Sequence, residues 1–262
     1  MSGPPGPGSP GLARLRPGLA TREAAFLLIV AAGAWAATIA LARGMAGMTG
    51  TMGLGLAAFV AIWTLMMAAM MLPSVTPTAS LYVRTFRDNR AVRIAGLVVG
   101  YLAVWAAAGL PAYGLARLAG WLTGQHPGAA HVTTVAVFAV CGIYQLSPLK
   151  DRCLAHCRSP LGLLLHYGSY RGRSRDLRVG VHHGGYCLGC CWGLMVLLIA
   201  LGLMNVIAMV GLAALVLIEK LWRWGPAAGR LAGVAALALA AATIWLPWLA
   251  PGLHAAPQMM MN

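Results

Sequence analysis

Five of the six cysteines in this 262-residue chain lie in two triplets of equal spacing, C-x-x-H-C and C-x-x-C-C. With the histidine, their members are Cys153, His156, Cys157, Cys187, Cys190 and Cys191. Spacing of i, i+3, i+4 places three side chains on one face of a helix. Thiolate and imidazole groups are ligands for zinc and copper(I). We therefore predict that the two triplets meet and share one metal ion or hold two.

Other uses of these cysteines are less favoured. Attachment of haem c needs C-x-x-C-H, whereas His156 precedes the second cysteine of its triplet. Structural disulfides are disfavoured in the reducing compartment expected for this segment. The C-x-x-C spacing of Cys187 and Cys190 also permits a membrane thiol–disulfide oxidoreductase, and a zinc ion that staples the loop to a helix is a third alternative. Cys141, the sixth cysteine, is interpreted as packing.

Histidine and methionine residues extend the set of soft donors. His182 and His183 directly precede the second triplet and are accessory candidates. Thioether sulfur prefers copper(I) and offers little to zinc. The candidate thioethers, one group predicted at the outer face and one towards the inner end of the second span, are Met45, Met48, Met52, Met66, Met67, Met70 and Met71. They suit a copper(I) path from outer methionines to inner cysteines, but methionine is also an ordinary core filler.

The composition predicts an all-α, polytopic helical membrane protein. Apolar residues make up 60%, charged residues only 9%, and mean hydropathy is +0.77, whereas soluble domains carry about 25% charged residues. Continuous apolar runs predict about seven transmembrane helices. They are Ala24–Leu41, Leu54–Leu72, Ile94–Leu118, Val132–Leu146, Cys187–Leu203, Val206–Ile218 and Leu231–Leu249. Gly202 and Asn205 suggest a hairpin between the fifth and sixth, with one long kinked helix as the alternative.

The charge distribution predicts the orientation of the chain. Of 19 lysines and arginines, 17 fall in alternate connecting segments and 2 in the others. By the positive-inside rule we expect a cytoplasmic-membrane protein with its N-terminus inside and its C-terminus outside. Because the basic residues lie between apolar runs, they indicate contact with the lipid bilayer and not with nucleic acid.

The expected organisation has three parts. Residues 1–23 form a disordered tail rich in Pro, Gly and Arg, 24–250 form one transmembrane domain, and 251–262 form a short outer tail containing Met259–Met261. A cytoplasmic Cys/His loop, 149–186, contains a short amphipathic surface helix at 160–170, since Ser159-Pro160 is a helix start. Pro73 and Pro77 are expected to end the second span.

Acidic residues are too few to build an enzyme of a familiar kind. The five are scattered, so no Ser-His-Asp or paired-carboxylate set is visible. None lies in the middle of a predicted span, which disfavours a proton-coupled carrier. Glu219 and Lys220 are interpreted as an interfacial ion pair. Whether the chain is an enzyme is left open, with a binding role favoured.

The sequence resembles a bacterial family of predicted metal-binding integral membrane proteins, a domain of unknown function sometimes labelled copper chaperone. The segments that carry the resemblance are WTLMMAAMMLPS (63–74), CLAHCRSPLG (153–162) and HGGYCLGCCWGLMVLLIALGLMN with a later EK (183–205, 219–220). It extends from the second span through the sixth and implies a multi-span metal-binding protein with the six triplet residues as suspected ligands.

These observations together predict a protein that binds a soft metal at the cytoplasmic face. Copper(I) is favoured and zinc is second. The expected role is metal trafficking, or that of an accessory factor to another membrane or metal-accepting protein.

Overall fold

The computed structural model describes residues 17–45, 48, 50–86, 89–159, 162, 166–168, 170–172 and 174–246. Eight helices are delimited there, and these residues contain no strand, which confirms the predicted all-α class. The helices are α1 (Pro17–Met45), α2 (Leu56–Arg84), α3 (Arg90–Gln125), α4 (Pro127–Gln145), α5 (Pro148–Arg158), α6 (Arg175–Leu201), α7 (Val206–Leu221) and α8 (Gly225–Thr243).

Six of these helices, α1, α2, α3, α4, α6 and α8, are long and apolar enough to cross a membrane. The predicted sixth span is α7, which has 16 residues and is therefore about 24 Å long, shorter than a hydrocarbon core of about 30 Å. It is separated from α6 by the turn predicted at Gly202 and Asn205. Cys187 and Lys220, each 14 residues from the turn end of its helix, are in contact. The two helices therefore form an antiparallel hairpin.

The segment predicted as a loop over 149–186 is largely helical where it is described. It contains most of α5 and the first part of α6, which begins 12 residues before Cys187. The second triplet therefore lies about 18 Å along α6 and not at the mouth of a span. Ser147 caps α5 by accepting a hydrogen bond from the Lys150 amide, and Pro148 occupies the first turn. Most of the surface helix predicted at 160–170 lies outside the described residues.

Two predicted boundaries differ from the structure. The tail predicted as disordered over 1–23 overlaps α1, which begins at Pro17, as prolines often do at the first helical position. The remainder of that tail, 1–16, and the whole of 251–262 with Met259–Met261 lie outside the described residues.

The expectation that Pro73 and Pro77 end the second span is wrong, because α2 continues through both prolines to Arg84. The Ser74 and Thr76 hydroxyls donate hydrogen bonds to the carbonyls of Met71 and Leu72 in the same turns. Serine and threonine side chains help apolar helices to tolerate proline in this way.

The closest helix contact, between α3 and α6, fixes the face that α6 presents to the rest of the bundle. A Cβ at Gly100 would overlap the Leu177 carbonyl oxygen, and one at Gly180 would overlap the Leu97 carbonyl oxygen. Only glycine permits the two backbones to approach so closely. As a result, the three cysteines of α6 are fully buried.

Candidate metal centre

The structure brings the two cysteine triplets together. The Sγ atoms of Cys157 on α5 and Cys190 on α6 are 3.9 Å apart, and those of Cys190 and Cys191 are 3.3 Å apart. Cys153 packs against Gly189, where an added Cβ would stand 2.9 Å from its sulfur. With metal–sulfur bonds of about 2.3 Å, two thiolates on one ion are separated by about 3.8–4.0 Å at trigonal or tetrahedral angles. Cys157 and Cys190 thus have suitable spacing, while ligation itself stays a prediction.

The donor set is incomplete around any single point. Among the residues that the structure describes, no group of three His, Cys, Asp or Glu side chains is already arranged to hold a metal ion. A two-coordinate ion needs only the Cys157 and Cys190 sulfurs, moved apart by less than 1 Å to the roughly 4.6 Å of a linear S–metal–S unit. Cys191 is the nearest source of a third thiolate. The chemistry of this set suits a soft ion of low coordination number.

Cys187 has a different environment from the other thiols. Its Sγ lies 2.9 Å from the Tyr101 hydroxyl and accepts a hydrogen bond of 2.9 Å from the Lys220 ammonium. Lys220 is 7% exposed and also donates to the Ser74 hydroxyl at 3.3 Å. The sequence analysis named neither Lys220 nor Tyr101 as a member of the site. A buried cation therefore adjoins the cluster.

The predicted ion pair between Glu219 and Lys220 is wrong. Glu219 instead accepts a hydrogen bond of 2.5 Å from Lys150, and both side chains are 1% exposed. The Gln145 amide donates to the same carboxylate oxygen at 3.2 Å. Side chains at positions i and i+1 of a helix do not face one another, so Glu219 and Lys220 diverge towards different partners.

Helix α5 is held against α7 by buried polar contacts. In addition to the pair between Lys150 and Glu219, the Arg158 guanidinium donates to the Glu219 carbonyl oxygen. Gly229 of α8 makes room for the ion pair, since a Cβ there would stand 2.9 Å from the Glu219 carboxylate and 3.1 Å from the Lys150 ammonium. These contacts fix the helix that carries Cys153 and Cys157.

Two histidines have a buried ring nitrogen with no hydrogen-bond partner. The His156 ring stacks on Tyr186 with centroids 3.6 Å apart, and its Nε2 is unpartnered. His183 is 3% exposed, and its Nδ1 is likewise unpartnered. His182 is engaged instead, with its Nδ1 3.2 Å from the Tyr167 hydroxyl. His156 and His183 therefore keep a nitrogen available for a metal.

Burial shifts both titratable donors of the first triplet towards their neutral forms. It lowers the pKa of His156, with smaller contributions from His182 and His166, and it raises the pKa of the Cys153 thiol. A neutral imidazole is ready to bind a metal, whereas Cys153 must first lose a proton.

The methionines of α2 are in the protein core. Met66, Met67, Met70 and Met71 are at most 1% exposed and belong to the same buried cluster as Cys187, Cys190 and Cys191. Met70 is one turn from Ser74, which contacts Lys220. At the other end of α2, Met48 is exposed and Met52 is buried, and Met45 ends α1. The order along α2 matches the predicted path, although core packing explains the burial equally well.

Comparison with known proteins supports a copper-related role. No curated protein and no solved structure matches the chain. A family described as "PpoB2: Copper chaperone" matches residues 60–243, which include both triplets and the methionines of α2. The match extends through α8, further than the segments that carry the resemblance noted above. Because it covers about 70% of the 262 residues, the chain belongs to the PpoB2 copper-chaperone family.

Proposed function

We propose that the protein is an integral membrane protein that takes copper(I) as its cargo at the Cys/His cluster and delivers it to another membrane or metal-accepting protein. The observation that carries the proposal is the 3.9 Å separation of the Cys157 and Cys190 sulfurs inside a buried cluster. Membership in a family described as a copper chaperone agrees with it.

The donor chemistry favours copper(I) over zinc. The atoms around Cys190 are thiol sulfurs, and the nearby carboxylate of Glu219 is already paired with Lys150. Structural zinc sites almost always take four ligands, whereas a copper(I) ion is stable with two or three thiolates. Low coordination also suits transfer, because a thiolate of the acceptor can join before a thiolate of the donor leaves.

Exposed apolar side chains support a membrane location. Ile29, Val132 and Leu231, on α1, α4 and α8, are each more than 60% exposed. Exposed tryptophans lie at both ends of the bundle, with Trp222 and Trp224 at the turn from α7 to α8 and others near the ends of α3 and α8. Tryptophan is enriched at membrane–water interfaces.

The positive-inside rule places the end of the bundle that carries the arginines of α3 and α6 in the cytoplasm. A fluorescent protein that matures only in the cytoplasm, fused to the C-terminus, should then remain dark. The same fusion at the N-terminus should fluoresce. The opposite pattern would overturn the proposed orientation.

Copper binding can be measured directly. Protein purified in detergent without added metal should bind about one copper(I) per chain in competition with a colorimetric chelator, and the double variant Cys187→Ser/Cys190→Ser should lose it. Cys141→Ser is the matched control, because this buried thiol donates instead to the Gly193 carbonyl at 3.1 Å. Unchanged copper content in the double variant would overturn the proposal.

A thiol–disulfide oxidoreductase is the second candidate. The close sulfur pairs Cys157–Cys190 and Cys190–Cys191 favour it. Such an enzyme forms a mixed disulfide with its partner, which a single-cysteine variant would trap. A zinc staple, in contrast, predicts that cysteine variants fail to fold and that the purified protein contains zinc.

A further inference from the structure

Lys220 is a buried cation whose counter-charge is a thiol of the cluster. Within the described part of the chain its ammonium donates hydrogen bonds to Cys187 Sγ at 2.9 Å and to Ser74 Oγ at 3.3 Å. The carboxylate next to it in sequence, Glu219, is paired with Lys150. A charge removed from water requires a compensating partner. Cys187 is the ionisable group of the two that Lys220 contacts, so it supplies the negative charge.

We propose that Lys220 is a specificity-determining residue that makes the cluster discriminate against divalent ions and so favours copper(I). The inference rests on the proposed copper-binding function. An ion bound to Cys187 through a bond of about 2.3 Å would lie at most about 5 Å from the Lys220 ammonium, given their 2.9 Å contact. Coulomb repulsion is proportional to the charge of the ion. A divalent ion is therefore repelled twice as strongly as copper(I).

Burial makes this repulsion effective. Lys220 is 7% exposed and the cysteines of α6 are fully buried, so water and salt screen the interaction little. The other buried lysine, Lys150, is neutralised by Glu219 at 2.5 Å. Lys220 therefore contributes the cation in contact with the cluster, and its effect does not depend on how many thiolates hold the ion.

Lys220 has a second effect that the test must separate from the first. By stabilising Cys187 as a thiolate it favours binding of any metal, because less free energy is needed to remove the thiol proton. This contribution is the same for a monovalent and a divalent ion at the same sulfur. It therefore cancels in the ratio of the two affinities, which reports the charge of the ion.

The test measures copper(I) and zinc(II) affinities of the full-length protein in detergent, each by competition with a chelator. Lys220→Met should lower the ratio of copper(I) to zinc(II) affinity at least about tenfold, because one unit of charge at about 5 Å and an effective dielectric constant of about 20 is sufficient for more than that. Lys220→Arg retains the charge and should retain the ratio. If the methionine variant does not fold, Lys220→Gln replaces it, since its amide can still donate to Ser74 and Cys187.

Arg230→Met is the matched control for removal of a positive charge, because Arg230 is 65% exposed and pairs with Asp151 at the surface. It should leave the ratio unchanged. A Lys220→Met or Lys220→Gln variant that binds copper(I) with the wild-type ratio would overturn the inference while leaving the proposed function in place. A wild-type protein that binds no copper(I) would overturn both.

Discussion

Breaking the buried ion pair between Lys150 and Glu219 should detach α5 from the bundle and weaken the metal centre without touching a sulfur. The ammonium and carboxylate are 2.5 Å apart, and both side chains are 1% exposed. Lys150→Met leaves the carboxylate of Glu219 buried with only the Gln145 amide beside it. Glu219→Gln leaves the Lys150 ammonium without an anion.

The expected cost follows from the geometry. Two unit charges at 2.5 Å attract by about 7 kcal/mol at an effective dielectric constant of about 20. Desolvation offsets much of this attraction, and removal of one partner from a buried pair typically destabilises a protein by about 3–5 kcal/mol. Replacement of both by apolar residues is often close to neutral. We therefore expect each single variant to be much less stable than the double variant Lys150→Met/Glu219→Leu.

The assay is unfolding of the purified protein in mixed micelles of increasing SDS content, followed by the fluorescence of its nine tryptophans. Copper(I) affinity is measured on the same samples, since undocking of α5 should separate Cys157 from Cys190 and lower it. Arg230→Met, which breaks an exposed pair with Asp151, should cost less than about 1 kcal/mol. Single variants that cost no more than this control, or a double variant as unstable as the sum of the singles, would refute the reasoning.

Three further predictions concern packing, pH and metal. Gly180→Val should destabilise the protein by about 1–3 kcal/mol because its side chain would meet the Leu97 carbonyl, whereas Gly185→Val enters open space and should be tolerated in the same SDS titration. Since burial lowers the pKa of His156, the unfolded chain takes up a proton first as the pH falls. Stability should thus be lost below about pH 6.5, and less so in His156→Phe. Copper(I) at one hundred times Kd should stabilise the protein by about 2.7 kcal/mol, an effect that a chelator reverses and Cys157→Ser lacks.

The helices could be predicted because a bilayer imposes a length and a polarity that are visible along the sequence. The apolar runs found all six helices that are long enough to span, and Gly202 and Asn205 marked the break between α6 and α7. The prediction failed at Pro73 and Pro77, where the helix is maintained by its own side chains. The start of α6 was also missed, because the helix continues for 12 polar or mixed residues before Cys187, and helix formation does not require an apolar sequence.

The thiols of the site could be predicted in part, and their polar partners could not. Equal spacing within each triplet indicates a shared face, and the two faces meet at Cys157 and Cys190. Tyr101 and Lys220 lie 86 and 33 residues from Cys187 in the sequence, and no local pattern connects them. One signal was available: two adjacent opposite charges at the end of an apolar helix point in different directions, so each needs a partner elsewhere.

That adjacent pair gives α7 a role that its length does not suggest. Glu219 binds Lys150 through its carboxylate and Arg158, the residue after Cys157, through its carbonyl. The next residue, Lys220, binds Cys187 of the other triplet. One turn of α7 therefore contacts both cysteine-bearing helices, and any movement of it displaces α5 and α6 relative to one another. A helix too short to span a bilayer straight is thus explained by the positioning of the two halves of the metal centre.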